Sequence, residues 1–222
     1  VAPNDPIKAY TRAGLHLYDA LIMGLFAKHV WRCPPARFVA HYRKHLTSNH
    51  AEIGVGTGYC LDRCGFDFDS HHRRLALIDL QPNCLEFSAR RLARYQPQTH
   101  VHDARLPLPY WIGRFDSIAI AGVLHCLPGG MHEKAKVFDA LRPLASGGAT
   151  VFGYTLVSDS VSHRRRSRWM HRALNHLRVI DNTGDRLDDL RDELSRRFVA
   201  CNVEPVGCLA FFSATFPRGL AT

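Results

Sequence analysis

The stretch His50-Ala51-Glu52-Ile53-Gly54-Val55-Gly56-Thr57-Gly58 constrains the fold of this 222-residue chain more than any other. Three glycines in alternation let a loop leave a buried strand and pass close under a ligand, where any Cβ would collide. A second apolar run, Leu75-Ala76-Leu77-Ile78-Asp79, ends in a carboxylate 21 residues after Gly58. An acid at the end of a second strand supplies acceptors for the two hydroxyls of a ribose. Together the two runs place a nucleoside-containing cofactor across Gly54–Gly58 and Asp79.

Dinucleotide oxidoreductases use Gly-x-Gly-x-x-Gly, whose third glycine permits close helix–strand packing beneath a pyrophosphate. Here the glycines fall at 54, 56 and 58, and the position that spacing requires is Tyr59. Glu52, two residues before the first glycine, suits a cationic amino acid or sulfonium better than a pyrophosphate. The pattern resembles motif I of the class I S-adenosylmethionine-dependent methyltransferases, with Glu52 in the acidic position.

The downstream chain continues the resemblance in order. Asp79 matches the family's ribose-binding acid. Val101-His102-Asp103-Ala104 resembles the third element, where an acid and the next backbone N–H bracket the adenine. Phe115 to Leu127 resembles the fourth strand and the turn that faces the methyl group. Leu141-Arg142-Pro143-Leu144-Ala145-Ser146-Gly147-Gly148 resembles the family's helix-to-strand corner. The match is close over roughly residues 45–155 and topological beyond. It implies cofactor contacts from Glu52, Gly54, Gly56, Thr57, Gly58, Asp79, Leu80, Asp103, Ala104 and Leu124, with S-adenosylmethionine as cofactor and S-adenosylhomocysteine as product.

Pattern and resemblance give one fold class: α/β, a Rossmann-like, mostly parallel seven-stranded sheet with helices on both faces. Strands near 51–54, 75–80, 99–102, 117–121 and 150–155 alternate with helices, and strand–helix alternation implies parallel pairing with right-handed crossovers. The spacing predicts one helix from Ile7 to about Val30 and another from Pro34 to about Leu46. Further helices are expected at Tyr59–Cys64, Pro82–Tyr95, Met131–Leu144 and Arg186–Phe198. Cys201–Pro205 and Cys208–Phe216 are joined by too short a turn for a parallel crossover, so they form an antiparallel C-terminal hairpin. Residues 1–48 read as a helical cap on the same domain, and about 157–185 as a lid-like insertion in the core of 49–222.

Composition fits a single α/β core. No run reaches membrane-span length and the first residues lack a secretory apolar region, so the chain reads as cytoplasmic, without a membrane partner. The seven cysteines are irregularly spaced; Cys60 and Cys64 have no second pair at ligand spacing, and a metal-free enzyme with mostly buried, reduced thiols is expected. The net charge of +9 reads mainly as solvated surface, with an acidic small molecule or a nucleic acid as lesser readings. Its densest run is His163-Arg164-Arg165-Arg166-Ser167-Arg168. His71, His72 and His163 read as solvated loop residues.

The chemistry implied is in-line attack of a nucleophile on the sulfonium methyl, which depends mainly on alignment. His125, in the turn after strand four, is the candidate general base, with a cofactor or structural contact as its other reading. Tyr10, Tyr18, Trp31, Arg32 and Trp169 are the candidate substrate contacts. Cys126-Leu127-Pro128-Gly129 follows strand four in place of the Asn/Asp-Pro-Pro-Tyr/Phe motif that positions a planar nitrogen. No Pro-Cys dipeptide occurs, and no paired acidic magnesium set follows Asp116. These features favour a small-molecule substrate, with nucleic acid disfavoured. Transfer to nucleic acid or protein, and a non-catalytic cofactor-binding module, are the alternatives; acceptor atom and oligomeric state stay open.

Overall fold

Side chains alternate across every strand, and that alternation divides the molecule into two layers over one sheet. The computed structural model describes residue 15 and residues 19–66, 73–159 and 165–219. Its strands are β1 (Asn49–Ile53), β2 (Arg74–Asp79), β3 (Gln98–Val101), β4 (Phe115–Ile120), β5 (Ala145–Leu156), β6 (Ala200–Val206) and β7 (Leu209–Thr215). Their spatial order is β3-β2-β1-β4-β5-β7-β6. The first five strands pair in parallel, and β7 runs antiparallel between β5 and β6. The expected fold class is therefore the observed one.

Ala51, Ile53, Ala76, Ile78, Ile118, Ile120 and Val151 fill one face. They pack with Phe138, Leu190 and Leu194, from α5 (Lys136–Ala140) and α7 (Leu187–Arg197). Leu75, Leu77, Ala119, Phe152 and Phe211 fill the opposite face. Their partners come from α1 (Pro35–His45), α2 (Tyr59–Cys64) and α3 (Pro82–Arg91), which contribute Phe38, Tyr42, Leu61 and Leu85. The remaining helices are α4 (Met131–Lys134) and α6 (Arg165–His176). Each fully buried large apolar side chain contributes about 1.5–3 kcal/mol relative to exposure.

Three local differences from the sequence expectation bear on the site. The first predicted helix is, in its described part, a π-helical run at Asp19–Phe26 continued by an α turn at Ala27–His29. Gly24 inside that run weakens any preference for tight α winding. Second, the helix expected at 131–144 is α4, α5 and a 3₁₀ turn, Arg142–Leu144, in succession. Pro143 cannot supply an N–H to continue an α-helix. Third, β5 already begins at Ala145 and carries Gly147 and Gly148 within it. A Cβ on Gly147 would lie 2.5 Å from the Arg218 carbonyl oxygen, so the strand needs a bare backbone there.

The C-terminal hairpin turns at Gly207-Cys208, with Gly207 at φ +62°, the positive first position that tight hairpins favour. This turn docks on the N-terminal segment: the Cys208 N–H donates to the Trp31 carbonyl at 2.9 Å. On the other layer, Lys134 and Asp185 form a fully buried ion pair at 2.7 Å. Lys134 Nζ also donates to the Asp181 carbonyl, so one ammonium holds the end of the 157–185 insertion against α4.

Removing one partner of such a pair strands a charge away from water. Lys134→Met should therefore destabilise the protein by roughly 3–5 kcal/mol. Lys134→Met combined with Asp185→Leu should recover part of that loss. Urea denaturation of the three proteins checks both statements; an unchanged midpoint for Lys134→Met would refute them.

Candidate functional site

The loop between β1 and α2 forms the floor of the site. The Gly54 N–H donates to the Ile78 carbonyl at 2.7 Å and the Gly58 N–H to the Val55 carbonyl at 2.9 Å, which fixes both ends. Gly54 has φ +69°, and an added Cβ would sit 2.4 Å from Val123 Cγ2. Gly56 has φ +53° and faces open space, with nothing within 4 Å of an added Cβ. The loop is thus packed shut on one side and bare on the other.

That bare side faces a cavity of about 120 Å³. Glu52, Gly54, Gly56, Thr57 and Gly58 form one part of its wall, and Ala121, Gly122 and His125 after β4 form another. The remaining wall is apolar and aromatic: Ile22, Met23, Trp31, Phe38, Tyr42, Tyr59, Tyr154, Leu156 and Leu209 are among its residues. The Trp31 indole N–H is buried without an acceptor among the described residues. A buried donor left in that state costs free energy unless something supplies an oxygen.

Alternation along β1 turns Glu52 and His50 toward α1. Glu52 is buried, and both carboxylate oxygens are engaged: Tyr42 Oη donates to Oε1 at 2.6 Å, and His50 Nε2 lies 3.2 Å from Oε2. His50 Nδ1 in turn meets Ser117 Oγ at 2.8 Å, and Ser117 accepts the Thr47 N–H at 3.0 Å. Burial and the neighbouring carboxylate both push the Tyr42 phenol well above its ordinary range, so it stays a donor.

Asp79 lies behind the same loop rather than in the cavity wall. It accepts N–H groups from Gly56 at 3.2 Å and Gln81 at 2.8 Å. Burial raises its pKa while those backbone donors pull it back. Asp103 is clamped by Arg105, whose Nε lies 3.0 Å from both carboxylate oxygens, and the pairing lowers its pKa. Leu80 is exposed and Ala104 half-buried, both outside the cavity wall.

Thr57, a residue of the cavity wall, also ties the loop to the N-terminal segment. Its hydroxyl donates to Asp19 at 2.6 Å, and Asp19 pairs with Arg91 at 2.7 Å. Arg91 also donates to the Thr57 carbonyl at 2.9 Å. The N-terminal segment is thereby tied to the glycine loop. Asp19 and Arg91 escaped sequence reasoning because nothing in their local spacing points to a loop in another part of the chain.

His125 sits in a 3₁₀ turn, Leu124–Cys126, directly after β4. Its Nδ1 accepts the Leu156 N–H at 3.2 Å and lies 3.3 Å from Thr155 Oγ1. Burial pushes its pKa down to about 3, with nearby Lys134 and His171 adding to the shift. The imidazole is therefore neutral at physiological pH. Cys126 is exposed and is not a wall residue, so its thiol does not face the cavity.

Other expected contacts lie away from this wall. Leu124 is fully buried in the core with Ile120 and Met131 and makes no part of the cavity. Arg32 and Trp169 are exposed and lie outside the wall; of the substrate candidates Trp31 alone is brought to it among the described residues. Tyr10 and Tyr18 fall outside the described residues, as do His71, His72 and His163. Phe38, Tyr42 and Tyr154 were missed, although Phe38 and Tyr42 have the i, i+4 spacing of a buried helix face.

A family model described as "Methyltransferase domain" matches residues 51–151, the span from β1 into β5. Demethylluteothin O-methyltransferase of Streptomyces thioluteus is 36% identical over 210 residues, covering 95% of this chain and 90% of that one. Methyltransferase verB of Penicillium polonicum is 31% identical, covering 95% and 98%. The N-methyltransferase NodS of Bradyrhizobium japonicum WM9, solved with S-adenosyl-L-homocysteine, shares the fold at TM-score 0.57 and 16% identity, over 82% and 85% of the two chains. With such identity along nearly its whole length, and a glycine loop bare toward a cavity beside a buried acid, the chain belongs to the S-adenosylmethionine-dependent methyltransferases.

Proposed function

We propose that the protein methylates an oxygen of a small, largely apolar organic molecule, in the manner of secondary metabolism. One observation carries the reading: the glycine loop faces an aromatic and aliphatic wall across a cavity of only about 120 Å³. Pockets that enclose a whole drug-sized ligand run to roughly 300–1,000 Å³, so this space suits the reacting ends of two small molecules. A nucleic acid would favour a broad basic groove instead. The described arginines of the basic run, Arg165 and Arg168, are exposed on α6 and outside the wall. Oxygen as the acceptor atom is supported by the relative from Streptomyces thioluteus, an O-methyltransferase by name.

The bare face of Gly56 is a cradle that any Cβ would fill, and it fits S-adenosylmethionine. The loop backbone and Glu52 would hold its amino-acid end, Asp79 its ribose, and Asp103 with the Ala104 N–H its adenine. When bound, this group supplies a methyl carbon on positively charged sulfur, whose carbon–sulfur bond breaks with its electron pair going to sulfur. The protein's own contribution is alignment and exclusion of water by the aromatic wall. The described part of the N-terminal segment, residues 19–48, acts as a cap through Ile22, Met23 and Trp31. The 157–185 insertion braces that wall, since the Asp181 N–H donates to the His125 carbonyl at 2.7 Å.

Two measurements test the reading. In calorimetric titration the protein should bind S-adenosylmethionine and S-adenosylhomocysteine and ignore NAD. Gly56→Val should abolish that binding in a folded protein, because the side chain occupies the cradle. Asp79→Ala should weaken it roughly tenfold to a hundredfold through the lost hydroxyl contacts. Unchanged affinity in either folded variant would overturn the cofactor placement. Incubation with a panel of small hydroxylated, amino and thiol compounds, read by mass spectrometry, should give methyl ethers; products methylated only on nitrogen or sulfur would overturn the oxygen assignment.

A further inference from the structure

The hydrogen bonds at His125 fix which of its nitrogens can act. A backbone N–H can only donate, so the Leu156 N–H aimed at Nδ1 at 3.2 Å requires that nitrogen to be bare. The one proton of a neutral imidazole then sits on Nε2. Protonating Nδ1 would set two N–H groups against each other, and the charges of nearby Lys134 of α4 and His171 of α6 oppose a cationic ring as well. The turn that carries the ring is itself held by the Asp181 N–H on the His125 carbonyl, and Nδ1 also lies 3.3 Å from Thr155 Oγ1, so turning the ring over would give up both Nδ1 contacts. His125, a residue of the cavity wall, thus offers a donor and no accepting nitrogen.

The other titratable wall groups offer no better base. Both Glu52 oxygens are taken up by Tyr42 and His50. Burial pushes both the Cys60 thiol and the Tyr42 phenol well above their ordinary ranges, so each keeps its own proton. Resting on the oxygen-methylation reading above, we infer that His125 donates Nε2–H to the acceptor oxygen, and that this oxygen enters the site already ionised, as that of an acidic phenol or enol. The acceptor's proton goes to bulk solvent before binding. The oxygen lone pair then forms the new bond to the methyl carbon as the carbon–sulfur bond breaks, and anion and sulfonium give two uncharged centres. The Nε2–H bond orients the oxygen and stabilises its charge within the apolar wall.

The first test needs no turnover. Long-range nitrogen–proton NMR on the ¹⁵N-histidine-labelled protein, with His125 assigned by the missing signal in His125→Gln, should report an Nε2–H tautomer that does not titrate from pH 8 to pH 5. A bare Nε2, or titration near pH 6.5, would overturn the inference. The second uses a series of phenols of graded acidity. The acid limb of kcat/KM should move with the acceptor's own pKa; a limb fixed across the series would indicate an enzyme base and overturn it. His125→Gln, which keeps an N–H donor, should retain more activity than His125→Leu by roughly ten- to a hundredfold. Equal loss in the two folded variants, each confirmed to bind S-adenosylhomocysteine, would count against a donor role. Failure of S-adenosylmethionine to bind would sink the functional reading and leave the tautomer result standing on its own.

Discussion

A carboxylate buried beneath the glycine loop governs the arrangement of the site. Glu52 lies on β1, an interior strand of the sheet, within a largely apolar layer, and its burial would be costly without partners. Tyr42 from α1 and His50 from the same strand occupy its two oxygens. That requirement sets the position of α1, because a tyrosine four residues after Phe38 must reach β1 while Phe38 packs its edge on Tyr154 of β5. Helix, strand and loop are thus held in one register by a polar contact in an apolar layer. The exposed side of the loop then remains free for a ligand.

The rest of the site is brought together by long-range ties. Asp19 joins the N-terminal segment to Thr57 and Arg91, 38 and 72 residues away in sequence. The Gly207 turn comes so close to that segment that an added Cβ would lie 2.0 Å from the Trp31 carbonyl oxygen. At the other side, Lys134 and Asp185 anchor the 157–185 insertion under the turn that carries His125. Burial lifts Asp185 to about 6 even with Lys134 beside it, which reflects how little water reaches the pair. The cavity wall therefore draws on residues from Ile22 to Leu209, nearly the whole length of the chain.

The strands and the cofactor loop were legible in the sequence because their signals are local. Period-two apolar runs, glycines at 54, 56 and 58, and acids at strand ends are each visible within a few residues. The helix at Tyr59–Cys64 falls on its expected bounds. What was not legible depends on meetings between distant segments. Leu124 looked like a ligand contact because it adjoins the turn after β4, yet its side chain points into the core; the next residue, His125, faces the cavity. Thr57 lines the cavity, and the hydrogen bond of its hydroxyl to Asp19 has no signal in the local sequence. Trp169, on a surface helix, has the same local character as Trp31; only the fold separates an exposed indole from a cavity wall.

The chain's charge and the cavity's charge have separate origins. The net +9 reflects an excess of arginine, and most of the described arginines are exposed, where water screens them. Inside, the wall carries one carboxylate shared between two donors and a histidine held neutral by burial. An environment of that kind gives little help to an isolated ion, but it favours a matched pair, since two opposite charges in low dielectric attract strongly at short range. A sulfonium and an ionised acceptor oxygen form such a pair, and their reaction removes both charges. The apolar wall then works in the direction of the chemistry: it raises the energy of separated charge more than that of the partly neutralised transition state. The tautomer of His125 belongs to the same logic, because a neutral donor can hold an anion in place without adding a second positive charge to the site.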